Sequence, residues 1–344
     1  MERRPTIHDV AALAGVSKSL VSLVLQGSPR VSEERRQVVL SAVEELSYRP
    51  NRLARQLATN RTRTVGAVVA DLHNPFFHDV LDGLQAEADK RGYRVLIGTG
   101  GLSSAEEVAV GELLLELRVE GLVLLAHDLP PRLTARLAAA GPCVVVARGP
   151  SRGVAADVVV NDDLVGMRLA VGHLVQLGHR DMAHVAAATA AGRVRAAAFR
   201  QAVSELAPDL EVTVLLGGMT EEAGYGGAAA ALARSPRPTA LLMANDIAAI
   251  GAFNAADDAG LRIPEDVSVV GYDNTEMAAT RHISLTTVDQ PRQEMGRLAF
   301  QSLWERVEEG RTRSRNRVVT PTLVVRSSTA EPPQEPRRRA RCED

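Results

Sequence analysis

TIHDVAALAGVSKSLVSLVLQGSPRVSEERRQVVLSAVEELSYRPNRLARQLA, residues 6–58, decides how the whole chain is read. A short amphipathic stretch from Ile7 to Leu13 runs into Ala14-Gly15-Val16. A second helix opens at Ser17, whose side chain is a good acceptor for the unpaired N–H groups of a first turn. Two helices joined by a tight turn containing glycine make a helix-turn-helix, and the second helix of that motif can lie in the DNA major groove. A third helix follows Ser32, with Glu34 and Arg35 in its first turn and Val38, Val39, Ala42, Val43 and Leu46 at roughly helical spacing. Any three-helix bundle would share this outline, and charge separates the alternatives.

Residues 1–63 carry eleven basic and six acidic side chains, a net of +5, in a chain whose total is −2, which leaves −7 on the remainder. A basic head on an acidic body suits a nucleic-acid reader whose body should not adhere to DNA. Lys18 and Lys90 are the only lysines, so Lys18 stands out on the presumed reading helix. With Ser17, Ser19, Ser22 and Leu23 it forms the expected base-reading and phosphate-contacting set, and Thr6 is expected on phosphate near the first helix. Next comes Tyr48-Arg49-Pro50-Asn51-Arg52-Leu53-Ala54-Arg55-Gln56-Leu57. Pro50 sets a helix start, but so short and basic a segment should be marginal as a helix by itself. It reads as a plain linker or as a hinge that folds on DNA. In the second case Leu57, two residues after Arg55 and on one face with Leu53, wedges into a minor-groove step, with Asn51 and Ala54 close to the groove.

The rest of the chain alternates apolar runs with helical stretches. Runs at 65–70, 94–97, 122–125 and 144–146 come first, and the pattern restarts at 158–160, 182–186, 212–215, 240–243 and 267–271. Strands alternating with helices predict parallel sheets, and a body of this length accommodates two lobes with a cleft between them. Asp71, Asn161-Asp162-Asp163, Asn245-Asp246 and Asp273-Asn274 each follow a strand, where open α/β sheets bind ligands. Amides, carboxylates and an arginine converging there suit a polyhydroxylated ligand such as a sugar or nucleoside. Helix capping is the competing explanation. It is preferred for Asn74, which precedes Pro75, and remains open for Asp246; ligand contact is preferred for Asn245 and Asp273.

The chain resembles the LacI/GalR (lactose-repressor/galactose-repressor) family of bacterial transcription regulators over about residues 5–328. The resemblance rests on TIHDVAALAGVS, VSEERRQVVLSAVEELSYRPN, the hinge with Leu57, DLHNPFF, VNDDLVG with HLVQLGHRDMAHV, ANDIAAIGA, VSVVGYDNTEMA and LTTVDQPRQEMGRLA, in that order. It implies an all-α helix-turn-helix headpiece followed by an α/β two-lobed, periplasmic-binding-protein-like effector domain with parallel sheets. The expected division is a headpiece at 1–49, a hinge at 50–62 and a body at 63–329. The first lobe takes about 63–162 and 291–319, the second about 163–290 and 320–329, and a disordered tail follows at 330–344. The resemblance also implies an effector site of Asn74, Phe76, Arg195, Met219, Asn245, Asp273 and Gln290, Gln290 being the weaker match. Met219 stands where several relatives place an aromatic ring, so ring stacking and effector identity do not carry over. Leu23 and Gln26 stand where many relatives have Arg and Asn, which alters the expected operator at that base pair, since arginine is the strongest reader of guanine edges.

The expected protein is therefore a homodimeric regulator, a repressor in the sense of the family, bound to a palindromic double-stranded operator and controlled by a small polar effector. The resemblance implies dimer contacts near Phe77–Leu84 and Met277–His282, the alternative being that these apolar residues only pack internally. The competing class is a cytoplasmic solute-binding or sugar-processing protein with an appended DNA-binding domain. No nucleophile, base or metal set is recognisable, so neither an enzyme nor a cofactor is expected. Gly98-Thr99-Gly100-Gly101 does not complete a dinucleotide fingerprint, and Cys143 and Cys342 form no framework. The N-terminus lacks a signal-peptide core and no apolar run reaches spanning length, so a cytoplasmic, nucleoid-associated protein with no membrane partner is expected.

Overall fold

The computed structural model describes residues 5–25, 28–48, 61–100, 103–125, 129–149, 153–210 and 212–333. The chain divides into a unit at 1–62 and a unit at 63–344. In the first, α1 (Ile7–Leu13), α2 (Lys18–Leu25) and α3 (Glu33–Glu45) surround Val10, Val21, Val24, Val39 and Tyr48. The Ser17 hydroxyl oxygen accepts from the Leu20 N–H at 3.2 Å, the capping contact its position predicts. Gly15 turns the chain at φ +63°, a conformation glycine adopts without steric cost. The apolar face of α3 is narrower than its spacing suggests. Val38 is 47% exposed, while Val39 and Ala42 are buried and Val43 packs against the core from its edge.

The second unit contains two six-stranded sheets. The first lobe runs β1 (Thr64–Val69), α4 (Pro75–Lys90), β2 (Arg94–Thr99), α5 (Ser104–Glu116), β3 (Leu122–Leu125), α6 (Pro131–Ala140), β4 (Cys143–Val146) and β5 (Asp157–Asn161). The chain then crosses over. The second lobe comprises α7 (Asp163–Leu177), β6 (Met182–Ala186), α8 (Ala190–Leu206), β7 (Thr213–Leu216), α9 (Glu221–Leu232), β8 (Ala240–Met243), α10 (Asp246–Asp258), β9 (Ser268–Asp273), a 3-10 turn (Glu276–Ala279) and β10 (Thr286–Asp289). A second crossing returns α11 (Arg292–Glu308) and β11 (Asn316–Val319) to the first lobe, and a third sends β12 (Thr322–Val324) back to the second. The strand orders are β11-β5-β4-β3-β1-β2 and β12-β10-β9-β8-β6-β7. Pairing is parallel except between β10 and β12, which run antiparallel. The central strands are continuous apolar runs because helices cover both faces of each sheet.

α4 and α11 meet backbone to backbone. A Cβ at Gly83 would lie 1.9 Å from the Gln293 carbonyl oxygen, and one at Gly296 would lie 1.9 Å from that of Val80. Glycine at both positions lets the returning helix seat on the first lobe, where Met295, Ala299, Phe300 and Leu303 join its core. The body extends past the expected boundary at 329. The Ala330 N–H donates to Ser268 Oγ at 3.1 Å, and its carbonyl lies 2.9 Å from His179 Nε2. Of the tail expected at 330–344, residues 334–344 lie outside the described residues.

Candidate functional site

In the headpiece, Val21 and Val24 face the core, so α2 turns Lys18, Ser19 and Leu23 outward and leaves Ser22 half-buried. Leu23 is 38% exposed, an apolar contact surface rather than a core residue. Ser17 is exposed but committed to its cap. The backbone N–H and hydroxyl of Thr6 both donate to Asp9 Oδ2, at 2.7 and 2.8 Å. That hydroxyl must give up Asp9 before it can donate to a phosphate. Asn51, Ala54 and Leu57, with the hinge they belong to, lie outside the described residues.

In the body, the strand ends do converge on one cleft. A small cavity of about 30 Å³ is lined by Asn74, Phe76, Arg195, Met219, Asn245 and Asp273, together with Phe77, Ala147 and Ala191. Gln290 belongs to the same cluster, donating from Nε2 to Asp273 Oδ1 at 2.5 Å. Beside it lies a chamber of about 330 Å³, whose wall includes Arg148, Asn161, Asp163, Ala190, Arg195 and Gln290.

Arg195 occupies the centre. It projects from the second turn of α8, its guanidinium carbon 3.9 Å from the centroid of the Tyr272 ring. Nη1 donates to the Ala244 carbonyl at 2.8 Å, Nε reaches Asp163 at 3.4 Å, and Nη2 lies 3.8 Å from Asp273. Burial works against its charge, but Asp163 and Asp273 more than offset that and hold its pKa above the ordinary value. Asp273 responds the other way. Burial drives its pKa well above the ordinary carboxylate value, against the pull of Arg195 and with Asp246 pushing in the same direction. The backbone is strained at this spot. Asp273 has φ +119°, Asn274 +55°, and Ala147 on the opposite lobe +61°. Such conformations persist only where the surroundings impose them, and they cluster at ligand sites.

One preference needs revision. Asn245 lines the cavity, but its amide is already used: Oδ1 accepts from the Ala248 N–H at 2.9 Å as the α10 cap, and Nδ2 donates to the Met219 carbonyl at 3.1 Å. Here capping wins over a free ligand contact, because a buried amide at a helix start is nearest to the orphan N–H groups. Asp71 lines neither cavity, and its carboxylate takes the His73 N–H at 2.8 Å. Asn74 caps α4 as expected, accepting from Phe76 N at 3.0 Å. Asp246 is not a cap; it receives the Thr275 N–H and hydroxyl and the Thr287 hydroxyl, tying α10 to the β9–β10 end. The expected contact residues at 77–84 are mainly internal: Phe77, Val80 and Leu84 are buried in the first-lobe core, drawn in by the close approach of α11.

Sequence reasoning missed Tyr272 and Arg148. Tyr272 ends an apolar strand and looks like core, yet its hydroxyl donates to Asp163 at 2.8 Å and accepts from Asn161 Nδ2 at 2.8 Å. That bond joins the end of β5 in one lobe to β9 in the other. Among the described residues, His78, Asp79 and Asp82 form the one cluster with metal-ligand proximity. It is partly exposed on α4, and Asp79 is paired to Arg292 at 2.7 Å. No single described helix is long and apolar enough to cross a membrane.

Residues 6–51 match the model of bacterial regulatory proteins of the lacI family, and residues 171–329 match a periplasmic binding protein-like domain. The chain is 35% identical over 339 residues to the HTH-type transcriptional repressor PurR of Erwinia tasmaniensis, covering 97% of this chain and 99% of that one. PurR of Salmonella paratyphi B is 33% identical over 335 residues, covering 95% and 98%. Among solved structures, the lac repressor dimer bound to operator and the anti-inducer ONPF superposes with a TM-score of 0.85 at 28% identity, covering 95% of this chain and 100% of that one. The transcriptional regulator CelR in complex with cellobiose gives 0.69 at 32% identity, with 94% and 100% covered.

Proposed function

The chain belongs to the LacI family of DNA-binding transcriptional repressors, which are regulators and not enzymes, and from that premise we propose that it is a homodimeric repressor whose operator affinity is set by a small polar effector held between Arg195 and Asp273. The observation that carries the effector reading is the convergence of Arg195, Met219, Asp273 and Gln290, from four separate segments, on one cleft with strained backbone on both walls. A ligand that changes the closure of the lobes stabilises one of two states and so shifts DNA affinity. Replacing Asp273 with alanine is expected to abolish the thermal stabilisation and operator response seen with the active members of a sugar and nucleoside panel. Operator affinity without effector should stay close to wild type. A variant that still responds would remove the cleft from the reading, and one that cannot bind DNA at all would make Asp273 structural.

The DNA-reading surface is α2, with Lys18 and Ser19 directed at base edges and Ser22 at base or phosphate. Lys18→Ala is expected to weaken binding to the palindrome upstream of the protein's own gene roughly ten- to a hundredfold. The same change should scarcely alter binding to a scrambled duplex at equal salt, as read by fluorescence anisotropy. Equal losses on both duplexes would reduce Lys18 to a phosphate anchor.

One reading helix covers a half-site, so a palindrome calls for two copies related by a twofold axis. Exposed apolar residues lie along the free edge of the first sheet: Leu96 and Ile97 on β2, Leu113 on adjoining α5, and Leu117 just past the end of that helix. An uncovered apolar edge strand invites pairing with another chain, so this edge replaces most of the 77–84 face as the proposed first-lobe contact. Ile97→Asp should convert a sedimenting dimer to monomer at micromolar concentration. A wild-type monomer that stays monomeric on the palindrome would exclude the dimer.

A further inference from the structure

We propose that the effector carries an anionic group, a phosphate or a carboxylate, received by Arg148 and the N-terminus of α8 inside the larger chamber of the cleft; this deepens the effector reading and rests on it. The chamber, about 330 Å³, is of the size that small-molecule sites occupy. Arg148 follows β4 on the first-lobe wall, is half-buried, and has neither an ion pair nor a hydrogen bond among the described residues. The other arginines built into the crossing are committed: Arg195 to Asp163, Ala244 and Asp273, and Arg292 to Asp79 and Asp289. Among the described residues that line the chamber, Arg148 is therefore the one cation without a partner.

The opposite wall is also positive. Helix α8 spans 17 residues and has no acidic residue in its first turn. Thr189 satisfies Gly192 and Arg193, through its hydroxyl at 3.1 Å and its carbonyl at 2.9 Å. The N–H groups of Ala190 and Ala191 open the helix without intrahelical acceptors, and both residues line the chamber. Such a terminus favours an anion through its dipole and its free N–H groups.

A separate observation supports a ligand in the chamber. Asn161, 7% exposed, lines it, and its Oδ1 is buried without a hydrogen bond while Nδ2 donates to Tyr272 and Asp163. A buried carbonyl oxygen left unpaired is costly, and a ligand hydroxyl or N–H would satisfy it. The acids nearby do not cancel Arg148. Asp163 Oδ1 already receives Tyr272, Asn161 and Arg195, and Asp273 receives Gln290 and faces Arg195. The ligand class is thus a polar molecule with a donor for Asn161 at one end and an anion for Arg148 and Ala190–Ala191 at the other.

The test titrates the full chain separately with inorganic phosphate, acetate, glucose and ribose, following backbone amide resonances of Ala190, Ala191 and Asn161. Phosphate or acetate should shift these resonances saturably. Arg148→Met should weaken that response about tenfold, and Arg148→Lys should restore part of it. The stronger of the two anions tells phosphate from carboxylate. No saturable shift with either anion, or an unchanged response in Arg148→Met, overturns the proposal. If glucose or ribose saturates the same resonances and neither anion does, the anionic class is wrong while the effector cleft stands. An unaltered effector response in Asp273→Ala would instead remove the cleft reading itself.

Discussion

Asp157→Ala is expected to cost the body about 3–5 kcal/mol of folding stability, the range measured when one partner of a buried ion pair is removed. Asp157 begins β5 and is fully buried. Arg306 Nη2 lies 3.0 Å from its Oδ1, Arg311 donates to both oxygens, and the Arg315 N–H adds a bond of 2.8 Å. Burial pushes its pKa up, but the hydrogen bonds from Arg311 and Arg306 outweigh that and hold it below the ordinary value. The alanine variant leaves Arg306, 9% exposed at the side chain, without its carboxylate, and Arg311, 11% exposed, with Glu305 alone. Their charge cannot be titrated away, because guanidinium stays protonated in proteins. Glu305 is the internal comparison. It holds Arg311, Arg315 and Arg317, but Arg315 is 57% exposed and can rehydrate. Glu305→Ala should therefore cost less. Urea unfolding midpoints of the two variants decide the matter, and a loss at Asp157 within about 1 kcal/mol of wild type would contradict the argument.

The second large effect is acid destabilisation through His184. This residue sits inside β6, with Nδ1 2.9 Å from the Leu242 carbonyl and Nε2 buried without a partner. Burial lowers its pKa to about 4, with Arg195 and Arg200 adding to the shift and the Leu242 bond opposing it. The folded protein thus keeps His184 neutral where the unfolded chain, titrating near 6.5, takes up a proton. Its contribution is fully present above pH 6.5 and is lost as pH falls toward 4, a total on the order of 3 kcal/mol. Between pH 7 and pH 5 the loss should be about 2 kcal/mol, and His184→Gln should remove most of it. His173 and His179 are also lowered, chiefly by burial, and leave a residual slope of the same sign. An identical pH dependence in wild type and variant would show that His184 titrates normally in the fold.

The headpiece was legible because its rules are local. Helical spacing, a glycine turn and a serine cap each act within a few residues, and α1, α2 and the Ser17 cap appear where that spacing puts them. The cleft was legible in outline for a different reason. Polar residues just after apolar strands lie at the carboxyl ends of a parallel sheet, where ligands bind, so Asp273 and Asn245 could be named without coordinates. Arg195 and Met219 came from the family resemblance.

What the chain's order of residues determined by itself was the element types, the charge division between head and body, and the set of side chains available to the cleft. Tertiary structure alone decided how those side chains are spent. Asn245 closes on a helix start and Met219, Tyr272 becomes a bridge between lobes, and Asp157 gathers arginines from more than 140 positions away. It also decided that Phe77 and Leu84 are core while Leu96 and Ile97 remain exposed, because α11 returns across Gly83 and Gly296 to cover one face of the first lobe and leaves its β2 edge open. Periodicity records which face of an element is apolar, but burial depends on which distant segment arrives to cover it, and that is a property of the packed chain.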